Sequence, residues 1–311
     1  MGIFNSDSHV SRIALAAIAV LLAWSCEQAL PDPEDRLIAF RAGVVDEADT
    51  KVPTVDGIDA VTSLDAFYVT ASIGLDMKEQ QVFGKEPFAL DTKSGKYVST
   101  RYWPKVDEGY HFYASNVPIE FAFRGDFFVD TGPDANLDVV CAYIPFSDYM
   151  AVNYLDFRHI LSRVGQVTLK PAQVGNGNTD YYTISDVKIY FIPDTHGHYI
   201  LGDNLWEQTT TDGVPKNLAT SVDALPDAPP YFTQDNDIWA IPGKYIAYLN
   251  YTVVYKEWFK TYVDSHVKIY LQQGSINDIT FVLGGDPIDI AFTITVRDWN
   301  DVERNIDFME P

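Results

Sequence analysis

Beyond residue 36 the chain alternates apolar and polar residues far more often than it repeats them every three or four positions. From Leu37 to Val45, the side chains of Ile38, Phe40, Ala42 and Val44 fall on one face and Arg41 on the other. That period of two is the signature of a half-buried strand. Similar runs rich in Val, Ile, Thr, Tyr and Phe predict strands at Phe67–Ile73, Tyr110–Ala114, Ile119–Phe123, Leu137–Ile144 and Val164–Leu169. More follow at Val187–Ile192, Tyr245–Tyr255, Val263–Leu271, Ile279–Leu283 and Ile288–Val296. Turn signals separate them: Lys93-Ser94-Gly95-Lys96, Gly175-Asn176-Gly177-Asn178, His196-Gly197-His198 and Gly284-Gly285-Asp286-Pro287. Short helices are expected only near Val61–Asp65 and Phe157–Arg163. Many short strands with regular turns predict an all-β fold of antiparallel β-sandwiches rather than βαβ units.

At roughly 150 residues per domain, 311 residues make two modest domains or one large one. The apolar run that ends at Pro145-Phe146-Ser147-Asp148 puts a junction near 147. This divides the chain into a leader over 1–25, a first β-sandwich domain over 26–147 and a second over 148–311. The stretch Asp223–Asp237, with Pro226, Pro229 and Pro230, reads as a long loop inside the second domain.

The leader changes the picture of where the chain works. Arg12 precedes Ile13–Trp24, an uncharged apolar run of about 12 residues, whereas a membrane-spanning helix needs about 20. This is the length of a signal-peptide core. It ends Ala23-Trp24-Ser25-Cys26, which resembles a bacterial lipobox in which Cys26 becomes the acylated first residue. Acidic residues soon after it (Asp32, Glu34, Asp35) resemble a surface-export signal of Bacteroidota lipoproteins. Cys141 is then left alone among apolar neighbours, a buried core thiol with no intrachain disulfide.

A net charge of −22 excludes phosphate neutralisation as a route to nucleic-acid binding, and excludes a polybasic grip on lipid. Membrane contact is expected through the lipid anchor alone. Hydrophobic residues at 47% exclude a disordered chain. No phosphate-binding Gly-rich loop, HExxH or Gly-x-Ser-x-Gly elbow occurs, so neither an enzyme nor a cofactor is expected. His196 and His198 could share a strand face and hold a metal, but with Gly197 between them they read as a polar hairpin tip. His159 reads as a packed or hydrogen-bonded residue near a short helix. Trp258-Phe259-Lys260-Thr261-Tyr262 reads as a hairpin tip. There Trp258, Phe259 and Tyr262 either contact a glycan or protein, or pack on the sandwich edge.

Several segments, in order, resemble the fimbrillin family, the lipoprotein pilins of Bacteroidales-type (type V) pili. Leu37-Ile38-Ala39-Phe40-Arg41-Ala42-Gly43 resembles the family's first strand, and Val61-Thr62-Ser63-Leu64 with Phe67-Tyr68-Val69-Thr70-Ala71 resembles its next. Tyr102-Trp103-Pro104 followed by Tyr110-His111-Phe112-Tyr113-Ala114 resembles its Y-W-P and the strand after it. Leu137–Ala142, Leu155–Val164 and Thr295–Trp299 resemble a later strand, the opening of the second domain and the closing V-x-x-W.

The resemblance implies two tandem transthyretin-like β-sandwich domains in a non-catalytic fimbrial (pilus) subunit or surface adhesin. The location it implies is the outer membrane, the cell surface and the fimbrium. It implies assembly with other pilus subunits by β-strand addition, and an adhesive ligand that is a host or bacterial surface protein or a glycan. The exchanged strand would be Leu37–Val45, with Leu37, Ile38, Phe40, Ala42 and Val44 as its residues. Lys51 stands in the following loop where relatives carry a protease-sensitive Arg, and is the candidate processing site. The tail Val302–Met309 is charged and weakly alternating, a poor donor strand. Both departures favour a tip, anchor or accessory subunit over a stalk repeat. The alternative is a glycan-binding surface lipoprotein that uses the Trp258–Tyr262 tip.

Overall fold

The computed structural model describes residues 37–44, 64, 66–103, 109–131, 138–147, 153–171, 183–222, 232–255, 257–283, 291–297 and 303–306. The leader, Cys26, Lys51 and nearly all of the helix expected near Val61–Asp65 lie outside them. Among the described residues the protein is all-β, with one four-residue helix, Met77–Gln80 (α1), and one 3-10 turn, Phe123–Gly125.

Seven strands build the first body: Leu37–Val44 (β1), Ala66–Ser72 (β2), Gln81–Asp91 (β3), Lys96–Tyr102 (β4), Tyr110–Ser115 (β5), Val140–Ser147 (β7) and Asn153–His159 (β8). Asp126–Asp130 (β6) belongs to another sheet. The seven hydrogen-bond into a closed ring in the order β1-β4-β3-β2-β5-β7-β8. Every neighbour pair is antiparallel except β1 and β8, which run parallel. The turn expected at Lys93–Lys96 joins β3 to β4. The Asp91 carboxylate there accepts from the Lys93 N–H (3.1 Å), the Ser94 N–H (3.3 Å) and the Ser94 hydroxyl (2.6 Å). Gly95 supplies the positive φ of +64°.

β8 replaces an expected helix and lies just past the expected junction. It pairs with β1 and β7, so residues just past the expected junction at 147 complete the first ring. The helix expected over Phe157–Arg163 is absent, for the end of β8 covers Phe157–His159 and the next strand begins at Ser162. Phe157, Ile160, Leu161 and Val164 are all buried, and their spacing imitates a helix face. They reach two cores in turn: Phe157 enters the first, Ile160 and Leu161 a shared one, and Val164 the second.

The second body comprises Ser162–Pro171 (β9), Thr183–Phe191 (β10), Lys216–Val222 (β13), Phe232–Ala240 (β14), Gly243–Tyr255 (β15), Trp258–Leu271 (β16), Ile276–Leu283 (β17), Ala291–Arg297 (β18) and Glu303–Ile306 (β19). One sheet has the order β14-β9-β17-β18-β19 and the other β13-β10-β15-β16. Both bury side chains in one core, including Val167, Phe281 and Ile294 from the first and Ile189, Leu249 and Tyr251 from the second. β9 and β17 pair in parallel. Part of the loop expected over Asp223–Asp237 is strand: Phe232–Asp235 pairs with Gln166–Leu169.

A third sheet joins the bodies. His196–Ile200 (β11) pairs with β6 on one side and Leu205–Thr210 (β12) on the other. The expected His196-Gly197-His198 turn is therefore strand. A Cβ on Gly197 would lie 3.2–3.3 Å from Ile241, Thr209 and Trp206, so glycine lets this sheet lie close to its core. That core takes Tyr113 and Cys141 from the first body, Phe121 from the segment before β6, Phe127 and Tyr199 from the joining sheet itself, and Trp239 with the adjoining Ile241 from the second body. Ile119–Phe123, expected as a strand, forms no ladder. Ile119 and Phe121 alternate only to reach this shared core.

Candidate functional site

β1 closes the first ring. Its residues Leu37, Ala39 and Phe40 face Tyr102, Val98 and Tyr97 of β4, and Phe40–Val44 run in register with Asn153–Phe157 of β8. Without β1, six strands would remain in a sheet whose two edges, β4 and β8, present unpaired backbone groups. The inward side chains match the sequence pattern: Ile38 and Phe40 are buried, Ala42 is half-buried against the same core and Arg41 is exposed. The side chain of Val44 lies outside the described set, and Leu37 is half-buried.

Phe40 is the anchor of the strand. It is 0% exposed, and its ring meets Phe112 (5.0 Å), Phe88 (5.1 Å) and Phe67 (6.4 Å) edge-on. Edge-to-face packing of this kind contributes about 0.5–1.5 kcal/mol per pair beyond buried area. The pocket that receives it is also braced by contacts that do not involve β1. Phe67 also packs on Tyr97 (4.7 Å) and Phe157 (5.0 Å), and the Tyr97 hydroxyl donates to the Leu64 carbonyl (2.6 Å). The slot is thus lined by apolar rings that also pack on one another.

The β15–β16 hairpin places the aromatic tip. Tyr255 pairs with Trp258 across the turn, leaving Trp258 47% and Phe259 71% exposed. Tyr262 takes the packed alternative: it is buried, stacks on Tyr251 at 5.0 Å and belongs to the second core. Val263, at 68% exposure, takes its place on the surface and was missed because a lone valine carries no distinguishing signal.

The histidines are occupied by carboxylates. His198 Nδ1 lies 2.9 Å from Asp126 and His196 Nε2 3.5 Å from Asp130, with Phe128 between the two rings. His159 Nδ1 lies 2.8 Å from Asp138. Among the described residues no three His, Cys, Asp or Glu converge on a metal position. Cys141 is buried and free, and burial, aided by Asp138, pushes its thiol pKa well up, away from the thiolate.

Polar clasps hold the two bodies together. Arg124 pairs with Asp203, the Gly202 N–H donates to the Arg124 carbonyl (3.1 Å), and Trp206 Nε1 donates to the Ile160 carbonyl (3.2 Å). Lys216 Nζ donates to the carbonyls of Thr131 (3.1 Å) and Trp239 (2.8 Å). Burial pulls its pKa down, against the opposite pull of Asp212. Beside this joint a shallow cleft is lined by Tyr143, Asp156, Arg158 and Asn204. Burial raises the Asp156 carboxyl pKa, opposed by Arg158. None of these long-range partners carries a motif in the sequence.

No family model matches the chain, and no curated protein matches it. Solved structures do. A fimbrial protein from Bacteroides vulgatus superposes with a TM-score of 0.56 at 12% identity, over 85% of this chain and 99% of that one. A protein from Parabacteroides distasonis named for cell adhesion superposes with a TM-score of 0.53 at 9% identity, over 84% of this chain and 96% of that one. At such identity the likeness is one of fold, and it spans both bodies. The chain therefore has a fimbrillin-like fold, the fold of these Bacteroidales fimbrial and adhesion proteins.

Proposed function

We propose that this protein is a non-catalytic fimbrial subunit or fimbrillin-like surface adhesin that joins other subunits by strand exchange at the β1 slot. The observation that carries this reading is the position of β1: one eight-residue strand closes the ring, and its Phe40 fills a cleft lined by other elements. Cleavage in the loop after β1, with Lys51 as the processing residue, would free the strand. An extended segment of a neighbouring subunit would then complete the ring by β-addition. Net backbone hydrogen bonds of about 1 kcal/mol each, with about 1.5–3 kcal/mol for each large buried side chain, would hold such a joint tightly.

In this reading Cys26 carries the acyl anchor in the outer membrane, and the chain works at the cell surface as a tip, anchor or accessory subunit. The two bodies are tandem β-sandwich domains of transthyretin-like type. The pairing of β8 with β1 supports a boundary at 160–161 rather than 147. A short charged β19, paired to β18 at a sheet edge, makes a weak donor, which supports the accessory role over a stalk repeat and leaves self-joining of trimmed protein to high concentration.

The test is trimming with a lysine-specific protease followed by size-exclusion chromatography. Trimmed protein is expected to form oligomers that intact protein does not. Trimmed protein that stays monomeric at every concentration refutes exchange at β1. A second reading, a glycan-binding surface lipoprotein, is favoured by the exposure of Trp258 and Phe259. Under it, Trp258→Ala abolishes binding on a glycan array; silence of the unmodified protein across the array removes it.

A further inference from the structure

The outer face of the four-stranded sheet in the second body has a composition at odds with the rest of the molecule. On β15 the side chains of Tyr245, Ala247 and Leu249 point into the core, so Lys244, Ile246 and Tyr248 point outward. On β16, Ile269 and Leu271 are buried and His266, Lys268 and Tyr270 face out. On β10, Ile189 and Phe191 are buried, and Lys188 and Tyr190 face out. The ladder sets Lys244 opposite Tyr270, Ile246 opposite Lys268 and Tyr248 opposite both His266 and Tyr190. These eight positions hold three lysines, a histidine, three tyrosines and no carboxylate, in a chain with 44 acidic and 22 basic residues.

The rings are arranged as a surface rather than as core. Tyr190 and Tyr248 stack at 5.3 Å with 19° between their planes, and Lys188 Nζ lies 5.4 Å from the Tyr190 centroid. Ile246 and Tyr270 are each 42% exposed. Two acids share the Lys188 end of the strip. Asp264, whose N–H donates to Asn250 in the row of Lys188, accepts from the Tyr190 hydroxyl (3.4 Å), and Asp186 accepts from the Ser185 hydroxyl (3.1 Å), so the Lys244–Lys268 end is the more positive.

We propose that this face binds an anionic polysaccharide. Lys244 and Lys268 lie diagonally adjacent at one end, and Lys188 lies beside Asn250 at the other, about 20 Å away at strand rise. Tyr190 and Tyr248 lie between, and Tyr270 lies beside Lys244. A carboxylate-bearing sugar chain matches that order: its anionic groups meet the lysines, and its apolar ring faces lie along exposed Ile246 and Tyr270 and across the outer edges of the stacked Tyr190 and Tyr248. The contacts run along neighbouring strands of one sheet face, which suits an extended polymer making repeated weak contacts rather than a small molecule. The self-repelling acidic surface elsewhere keeps such a polymer off the rest of the molecule. This site is separate from the β1 slot and from the Trp258 tip, and stands whether or not strands are exchanged.

The experiment is affinity electrophoresis of the full chain in gels containing polygalacturonate, with its fully methyl-esterified form as the neutral counterpart. Unmodified protein is expected to be retarded by the charged polymer and at least about tenfold less by the neutral one, since the ion pairs are lost. A Lys188→Gln, Lys244→Gln, Lys268→Gln triple variant loses about tenfold or more in affinity, and Tyr248→Ala loses severalfold, while both keep the unmodified melting profile. A Lys78→Gln, Lys93→Gln, Lys96→Gln triple carries the same charge change on the first body and binds as the unmodified protein does. Absence of retardation by polygalacturonate overturns the proposal. So does equal loss in the control triple, or a self-association in sedimentation that the first triple abolishes without any polysaccharide binding. That last result would give the face to the acidic surface of a second copy.

Discussion

Replacing Phe40 with alanine empties the centre of the slot while leaving the β1 backbone able to pair. The side chain is fully buried and touches three other rings edge-on. Truncating a buried Phe costs about 3–5 kcal/mol, through lost transfer energy and the cavity left behind. The surrounding rings cannot close over the gap, because Phe67 is held by Tyr97 and Phe157, and Tyr97 by its bond to Leu64. The upper part of the range is therefore expected. Against a total stability of about 5–15 kcal/mol this is a large fraction. With a urea dependence of about 1–3 kcal/mol per molar, the transition of the first body should move down by about 2 M. Urea titration followed by tyrosine and tryptophan fluorescence reads it, with exposed Arg41→Ala as the control expected to stay within about 0.5 kcal/mol. A Phe40→Ala loss below about 1 kcal/mol would show that β1 is loosely seated, and the account of the slot would fail.

Three further outcomes follow from the geometry. Tyr262→Ala should destabilise the second body by about 3–5 kcal/mol because it empties a core site, whereas exposed Phe259→Ala should change stability by less than about 0.5 kcal/mol; equal effects in thermal melts would contradict the burial of Tyr262. Lys216→Ala strips the Thr131 and Trp239 carbonyls of a shared donor and should cost about 1–3 kcal/mol, read as a lowered melting temperature, and an unchanged melt would refute the clasp. The Asp91 pKa is held below its ordinary 3.8 by the Ser94 hydroxyl first, then by backbone N–H groups. A lowered folded-state pKa gives stability that is present above the unfolded value and is lost as pH falls through the folded one. The stability gap between the unmodified protein and Asp91→Asn should accordingly be open at neutral pH and close below 3.8, and a gap that persists in acid would refute it.

The strands that were legible are those with one dry face and one wet one. β1 shows this best, with Ile38 and Phe40 inward and Arg41 outward. The Asp91–Gly95 turn and the hairpin ending at Trp258 were legible because their residue types are dictated by turn geometry and end a clear alternation. β12, Leu205–Thr210, was invisible because it is a sheet-edge strand with nearly every side chain in solvent, which leaves no alternation to read. β3 was hidden by Gly84, by Lys85 at a φ of +50° and by Pro87, which break the pattern that Phe83 and Phe88 begin. β11 looked like a turn because its outward residues are histidines answered by Asp126 and Asp130 on β6, nearly seventy residues earlier in the chain. The slot was half legible: β1 could be read, but its flanks β4 and β8 are fixed by pairing across long stretches of chain, which local periodicity does not encode.

The most direct test of strand exchange is a removable clamp on β1. Ala39 pairs with Val98 across the β1–β4 ladder, and antiparallel partners sit at Cα separations of about 4.5–5.5 Å, within the range a disulfide spans. Cys141 is buried and does not compete. In Ala39→Cys, Val98→Cys protein cleaved after Lys51, light scattering should find only monomers while the bond is oxidised and polymers once it is reduced. Polymers that form equally well with the clamp closed would show that subunits join without β1 leaving the ring.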